Sequence, residues 1–217
     1  LGEGLPQLLV YPFQSQDGTR LVTDLLTSTF PVKYRWPVFR LGAEPAEHYR
    51  AIIDEEAKVR TITPESSKFK DAPFEMSDAD RQAAFERVLA DRPHSTGEIV
   101  RAYFQATFES WRNCRRPTAP AAFVGYSPAI VVDAARIIAD LPDAHVVHVV
   151  RNPWSAYADT RRRAVPLPLL EYMRGWILTQ QHALAYQELH RERVHVMRFE
   201  DVTADPAGVP GGLCARL

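Results

Sequence analysis

Short apolar runs punctuate the chain at wide intervals. Leu8-Leu9-Val10-Tyr11 stands near the start and Val146-Val147-His148-Val149-Val150 in the middle. Ala121-Ala122-Phe123-Val124 and Val194-His195-Val196-Met197-Arg198-Phe199 are less continuous. Such runs, rich in β-branched residues, predict strands buried on both faces, as in a parallel sheet. Between them apolar positions recur at helical spacing. Residues 19–27 show it through Leu21, Val22, Leu25 and Leu26, and residues 129–141 through Ile130, Val131, Ala134, Ile137, Ile138 and Leu141 until Pro142 stops the pattern. The longest predicted helix, 169–191, is amphipathic through Leu170, Met173, Ile177, Leu184 and Leu189. Another, 98–111, sets Tyr103, Phe104, Phe108 and Trp111 on one side, an aromatic spacing read as core.

Strands alternating with helices imply right-handed crossovers onto a parallel sheet, and so an α/β fold. Ligands of such sheets sit at the carboxyl ends of the strands. Two places therefore matter: the turn after Tyr11 and the turn after Val150. Residues 35–92 are Pro-scattered and polar and read as a cap of short helices and loops, reaching to about residue 95. No linker divides the chain, so residues 1–217 are expected to form a single domain.

Composition narrows the choice of partners. The 217 residues are 46% hydrophobic and 24% charged, ordinary globular values. A formal net charge of −1 creates no overall field for nucleic acid or an anionic membrane, so neither is expected as a partner. An anion must instead be held by a local cluster. Arg161, Arg162 and Arg163 are one candidate, against the simpler reading of a solvated face. Two cysteines, Cys114 and Cys214, form neither a disulfide framework nor a metal-ligand spacing, and fit a reducing, cytoplasmic compartment. No run approaches the roughly 20 apolar residues of a membrane span, and no basic-then-apolar leader opens the chain at Leu1. The closing Gly211-Gly212-Leu213-Cys214-Ala215-Arg216-Leu217 reads as a helix cut short.

The loop after the first strand runs Tyr11-Pro12-Phe13-Gln14-Ser15-Gln16-Asp17-Gly18-Thr19-Arg20 into a helix. A polar, Gly-containing loop there aims backbone N–H groups, with the helix dipole, at an anion. It is not a Walker motif, lacking the second Gly and the Gly-Lys-Ser/Thr ending. An ordinary helix start capped by Ser15 or Asp17 explains these residues equally well. The middle strand ends in Val149-Val150-Arg151-Asn152-Pro153-Trp154. An Arg directly after an apolar strand is costly unless an anion meets it, and its planar fork suits phosphate. Either a ligand fills that role or a structural carboxylate does, such as Glu200 or Asp201.

His148-Val149-Val150-Arg151-Asn152-Pro153 resembles the signature of sulfotransferases that use 3′-phosphoadenosine 5′-phosphosulfate. Arg198-Phe199-Glu200-Asp201-Val202, with Asp205-Pro206, resembles the Arg-Tyr-Glu-Asp-Leu segment of that family. Gln16-Asp17-Gly18-Thr19-Arg20-Leu21 aligns with its phosphosulfate loop, basic-Ser-Gly-Thr-Thr-Leu. The three blocks keep order and spacing over almost the whole chain. The resemblance implies a P-loop-like three-layer fold, a central parallel sheet flanked by helices. It also implies transfer of a sulfuryl group from that donor to a hydroxyl of a small molecule or glycan, without a metal. Gln14, Ser15, Gln16, Asp17, Gly18, Thr19 and Arg20 would hold the phosphosulfate, and Arg151 the 3′-phosphate. Three departures stand out. Gln16 replaces the loop's basic residue, Asp17 its Ser, and Asp159 the Ser that partners the Arg eight residues earlier. Arg20 and either Ser155 or Thr160 would have to compensate.

A base for the acceptor hydroxyl is sought in Gly42-Ala43-Glu44-Pro45-Ala46-Glu47-His48-Tyr49, which resembles a segment of bacterial carbohydrate sulfotransferases. Glu47 is preferred, then His48, then Glu44, each set against a solvated helix start. Tyr126-Ser127-Pro128 stands where relatives face the acceptor, although a helix cap is the simpler role. His148 and His195, inside predicted strands, are read as core or edge histidines, not catalysts. Two alternatives remain open: a non-catalytic nucleotide-binding relative, motivated by Gln16 and Asp17, and a divergent P-loop kinase. Oligomeric state is not fixed by the sequence, a homodimer included.

Overall fold

The computed structural model describes residues 7–10, 36–37, 39–62, 75–113, 122–125, 130–161 and 168–217. All four predicted strands are present. β1 (Gln7–Val10), β2 (Ala122–Gly125), β3 (His145–Val150) and β4 (Val194–Arg198) form one sheet in the order β2-β1-β3-β4. Every pairing is parallel, with β3 and β4 in register from Val146 opposite Val194 to Val150 opposite Arg198. The fold is therefore α/β on a parallel sheet. The predicted helix over residues 19–27 and the loop before it lie outside the described residues.

The two-residue period of the strands sorts side chains onto two faces. On one face Val146 and Val194 meet Phe104, Val131, Ile137 and Ala183. On the other, Val147 and Met197 meet Val202 and Leu213. Both Val146 and Val147 are 0% exposed, so β3 is covered on both sides, as its uninterrupted apolar run predicts.

The cap is more helical than its prolines suggest. It holds α1 (Pro45–Ile62) and α2 (Asp78–Leu89), which pack with α3 (Thr96–Ser110) around Tyr49, Ile52, Phe85, Leu89, Ile99 and Tyr103. Ser77 and Ser95 start α2 and α3 by accepting from the N–H groups of Asp80 and Glu98. The aromatics of α3 do not share one side. Tyr103 turns toward the cap, whereas Phe104 joins the sheet core and stacks on Phe123 with ring centroids 5.8 Å apart. Neighbours 103 and 104 differ by about a quarter turn of helix, enough to serve two cores. In the cap core the buried Arg81 donates to the hydroxyls of Tyr49 and Tyr103 and to Asp78, each at 2.8 Å.

Residues 130–141 begin as a 3₁₀ turn (Ile130–Asp133) and continue as α4 (Ala134–Asp140). After β3 come α5 (Pro153–Thr160) and α6 (Leu169–Leu189), and after β4 come α7 (Phe199–Ala204) and α8 (Gly208–Cys214). The expected apolar stripe of α6 is not its core face. Leu170, Leu184 and Leu189 are 61%, 61% and 72% exposed, whereas Ala183 is fully buried. The sheet is met instead by small and polar-tipped residues: Ala183 and Tyr186 in the core, Gln180 bonded to His148, and Trp176 bonded to the carbonyl of Arg151. No helix among the described residues is long and apolar enough to cross a membrane.

The strand histidines are core residues, as expected. Arg193 donates to Nε2 of His145 at 3.1 Å, which leaves Nδ1 of that ring to donate to Nε2 of His195 at 3.1 Å. Nε2 of His148 donates to Gln180 Oε1 at 2.9 Å. Burial lowers the pKa of all three rings, and Arg193 for His145 and His145 with Arg216 for His195 lower it further.

Two predictions follow from this packing. A Cβ built on Gly97 would lie 2.0 Å from the carbonyl oxygen of Asp140, so Gly97→Ala must push α3 away from the end of α4. Such overpacking should cost about 1–3 kcal/mol in denaturant unfolding; an unchanged midpoint would contradict the close approach. The histidines bind protons more readily in the unfolded chain, whose value is near 6.5, than in the fold. Their contribution is therefore fully present above pH 6.5 and is lost as pH falls from there through the lowered folded values. Tm should drop over that window and His148→Gln should shallow the slope; a flat profile would contradict neutral buried rings.

Candidate functional site

The carboxyl ends of β3 and β4 are tied together by their own sequences. Asn152 caps α5, its side-chain oxygen accepting from the N–H groups of Trp154 at 3.0 Å and Ser155 at 3.3 Å, with Pro153 in the first helical turn. This explains the Asn-Pro pair: Asn satisfies orphan donors and Pro needs none. The N–H of Asn152 in turn donates to Glu200 of α7 at 2.9 Å. That bond comes first among the influences holding the Glu200 carboxyl below its usual range. Trp176 of α6 donates to the Arg151 carbonyl at 3.2 Å, so three helices fix the turn after β3.

Arg151 stands at the centre of this arrangement. Its guanidinium lies 4.9 Å from the centre of the Phe199 ring and donates to Asp159 Oδ2 at 2.5 Å. A structural carboxylate does meet this Arg, but it is neither Glu200 nor Asp201. Glu200 is engaged by Asn152, and Asp201 lies 3.8 Å from Arg198. Asp159 reaches Arg151 because α5 carries it back over the strand end two turns later, one turn beyond Ser155. The Arg151 side chain remains 34% exposed. It opens onto a cleft of about 400 Å³ lined by Val150, Arg151, Ser155, Trp176, Arg198 and Glu200, among others. This is where a parallel sheet receives a ligand.

The other expected residues divide. Ser155 lines the cleft from the exposed first turn of α5, and Thr160 is the last residue of that helix. Residues 14–20, the whole predicted phosphosulfate loop, lie outside the described residues, as do Ser127, Arg162 and Arg163. Glu44, Glu47 and His48 stand together at the start of α1 and do not line the cleft. Glu47 accepts from the N–H of Glu44 at 3.0 Å and from Arg40 at 3.0 Å on each oxygen, a capping arrangement. Those two contacts, the Glu44 N–H first, lower its pKa and leave it a weak proton acceptor. His48 differs. It is 2% exposed, edge-on to Phe39 and His94, and its Nε2 has no hydrogen-bond partner among the described residues. Burial, then His94, lowers its pKa, so the ring is held neutral and, like Glu47, takes a proton less readily than the free side chain.

Comparison with known proteins now decides the family. The model of the sulfotransferase family matches residues 18–217. The chain belongs to the sulfotransferase family. Two solved structures are similar to this sulfotransferase. The sulfotransferase domain from the Synechococcus PCC 7002 olefin synthase is 16% identical with a TM-score of 0.50, covering 98% of this chain and 73% of that one. Sulfotransferase STF9 from Mycobacterium avium is 18% identical with a TM-score of 0.48, covering 97% of this chain and 63% of that one. At 16% identity the likeness to the first concerns the fold alone. No curated protein matches the chain.

Reading the sequence found Arg151 but not what surrounds it. Asp159 was visible only as a missing Ser, although an acidic residue on the helix that follows a strand-end Arg is itself the signature of an internal ion pair. Trp176 carried no sequence signal, and Phe199, though part of the Arg198–Val202 block, none for its place against Arg151, because both depend on how β4 and α6 approach the turn.

Proposed function

We propose that this sulfotransferase moves a sulfuryl group from 3′-phosphoadenosine 5′-phosphosulfate to a hydroxyl of a small molecule or glycan. The observation that carries this reading is Arg151, a permanently charged fork at the carboxyl end of a buried parallel strand, opening onto a cleft. Arg151 and Ser155 suit the 3′-phosphate side of the donor. The loop from Gln14 to Arg20 is assigned to the phosphosulfate on sequence resemblance alone, with Arg20 supplying the positive charge that Gln16 lacks.

In this reaction the acceptor oxygen attacks sulfur, and an oxygen–sulfur bond forms as the bridging bond to the 5′-phosphate breaks. The bonding electrons leave with the phosphate, and the acceptor proton passes to a base. Positioning and charge stabilisation supply most of the rate in such transfers. None of the three candidate bases lines the cleft: Glu47 is engaged in a cap, and His48 is buried with its ring held neutral. Glu44 is exposed beside them.

One observation supports a second reading, a nucleotide-binding relative without turnover: Arg151 already has an internal anion in Asp159. The two readings separate on binding and turnover together. Calorimetry with adenosine 3′,5′-bisphosphate should show binding to the wild type and a loss of at least tenfold in Arg151→Ala. Sulfate transfer to a panel of hydroxyl acceptors should follow in the wild type. Binding without transfer selects the second reading, and no binding contradicts both.

A further inference from the structure

The Arg151–Asp159 contact bears on which nucleotide the cleft selects, and the argument rests on the donor reading just given. Arg151 donates through Nη1 to Asp159; the two side chains are 34% and 45% exposed, Arg151 lining the cleft and Asp159 standing beside it. Among the described residues that line the cleft or pair with its lining, charges of both signs stand together. Arg151 and Arg198 are matched by Asp159 and Glu200, and Arg198 also lies 3.8 Å from Asp201. A phosphate placed against Arg151 must share the fork with the carboxylate already seated on Nη1, and then stand beside that carboxylate. Like charges brought together oppose binding, whatever the fork gains from the phosphate.

A hydroxyl in the same place meets neither difficulty. It can donate to Asp159 without breaking the ion pair and add a bond to a carboxylate with oxygens to spare. Nucleotide sites elsewhere use this division: a carboxylate accepts from a ribose hydroxyl, whereas an arginine receives a ribose phosphate. Here the two stand bonded on one strand-end and one helix. We infer that Asp159 sets how the site treats the ribose 3′ position. By holding Arg151 in an internal pair it removes the advantage of a 3′-phosphate, and a nucleotide with a free 3′-hydroxyl binds about as well. Asp159 is thus a specificity-determining residue that opposes the phosphate, the repulsive element that selectivity between close analogues requires.

The test is a calorimetric comparison of two nucleotides against three proteins. Adenosine 5′-monophosphate and adenosine 3′,5′-bisphosphate are titrated into the wild type, Asp159→Ser and the isosteric Asp159→Asn, with melting curves confirming that each is folded. The wild type should bind the two nucleotides within tenfold of each other. Both variants should shift the ratio of dissociation constants toward the bisphosphate by tenfold or more. A wild type that favours the bisphosphate by more than tenfold overturns the inference while leaving the donor reading intact. So does a ratio that shifts by less than tenfold in the variants. If the wild type binds neither nucleotide, the donor reading fails and the inference falls with it.

Discussion

Burial of β3 on both faces is the constraint from which the rest of this structure follows. A strand with Val146 pressed into one core and Val147 into the other cannot move sideways without opening a cavity in one of them. Its neighbours β1 and β4 are held to it in parallel register. Because the strand is fixed, so is the point where it leaves the core, and there the chain places Arg151. The Asn152 cap, the Glu200 contact from α7 and the Trp176 bond from α6 then turn a strand end into a rigid platform. A binding residue on such a platform loses little entropy when it meets a ligand.

The platform also determines what Arg151 can do. With its carbonyl bound by Trp176 and its guanidinium over Phe199, it presents the remaining charge toward Asp159 and the cleft. An exposed ion pair of this kind contributes little to stability. Its significance lies in competition, since any anionic ligand must offer Arg151 more than Asp159 already does. On the proposed reading, affinity for the donor and selectivity at the ribose would both be governed by this contact.

Much of this fold was legible in the sequence because parallel strands buried on both faces leave an unmistakable apolar run. All four such runs became strands, and the position of Arg151 followed from the third. What was not legible depended on approach rather than pattern. The leucines of α6 looked like a core stripe, yet the helix meets the sheet through Ala183, Gln180 and Trp176. The aromatics of α3 looked like one face, yet they serve two cores. Glu47 looked like a base because its segment resembles one in bacterial carbohydrate sulfotransferases. The same position favours a cap, and only its contacts with Glu44 and Arg40 reveal which is realised.

A crystal structure of the protein with adenosine 3′,5′-bisphosphate would show what Arg151 holds. The account predicts the nucleotide in the cleft at the end of β3, its 3′-phosphate within hydrogen-bond distance of Arg151, and Asp159 turned away from the guanidinium. A nucleotide bound elsewhere, with Arg151 still paired to Asp159, would contradict it.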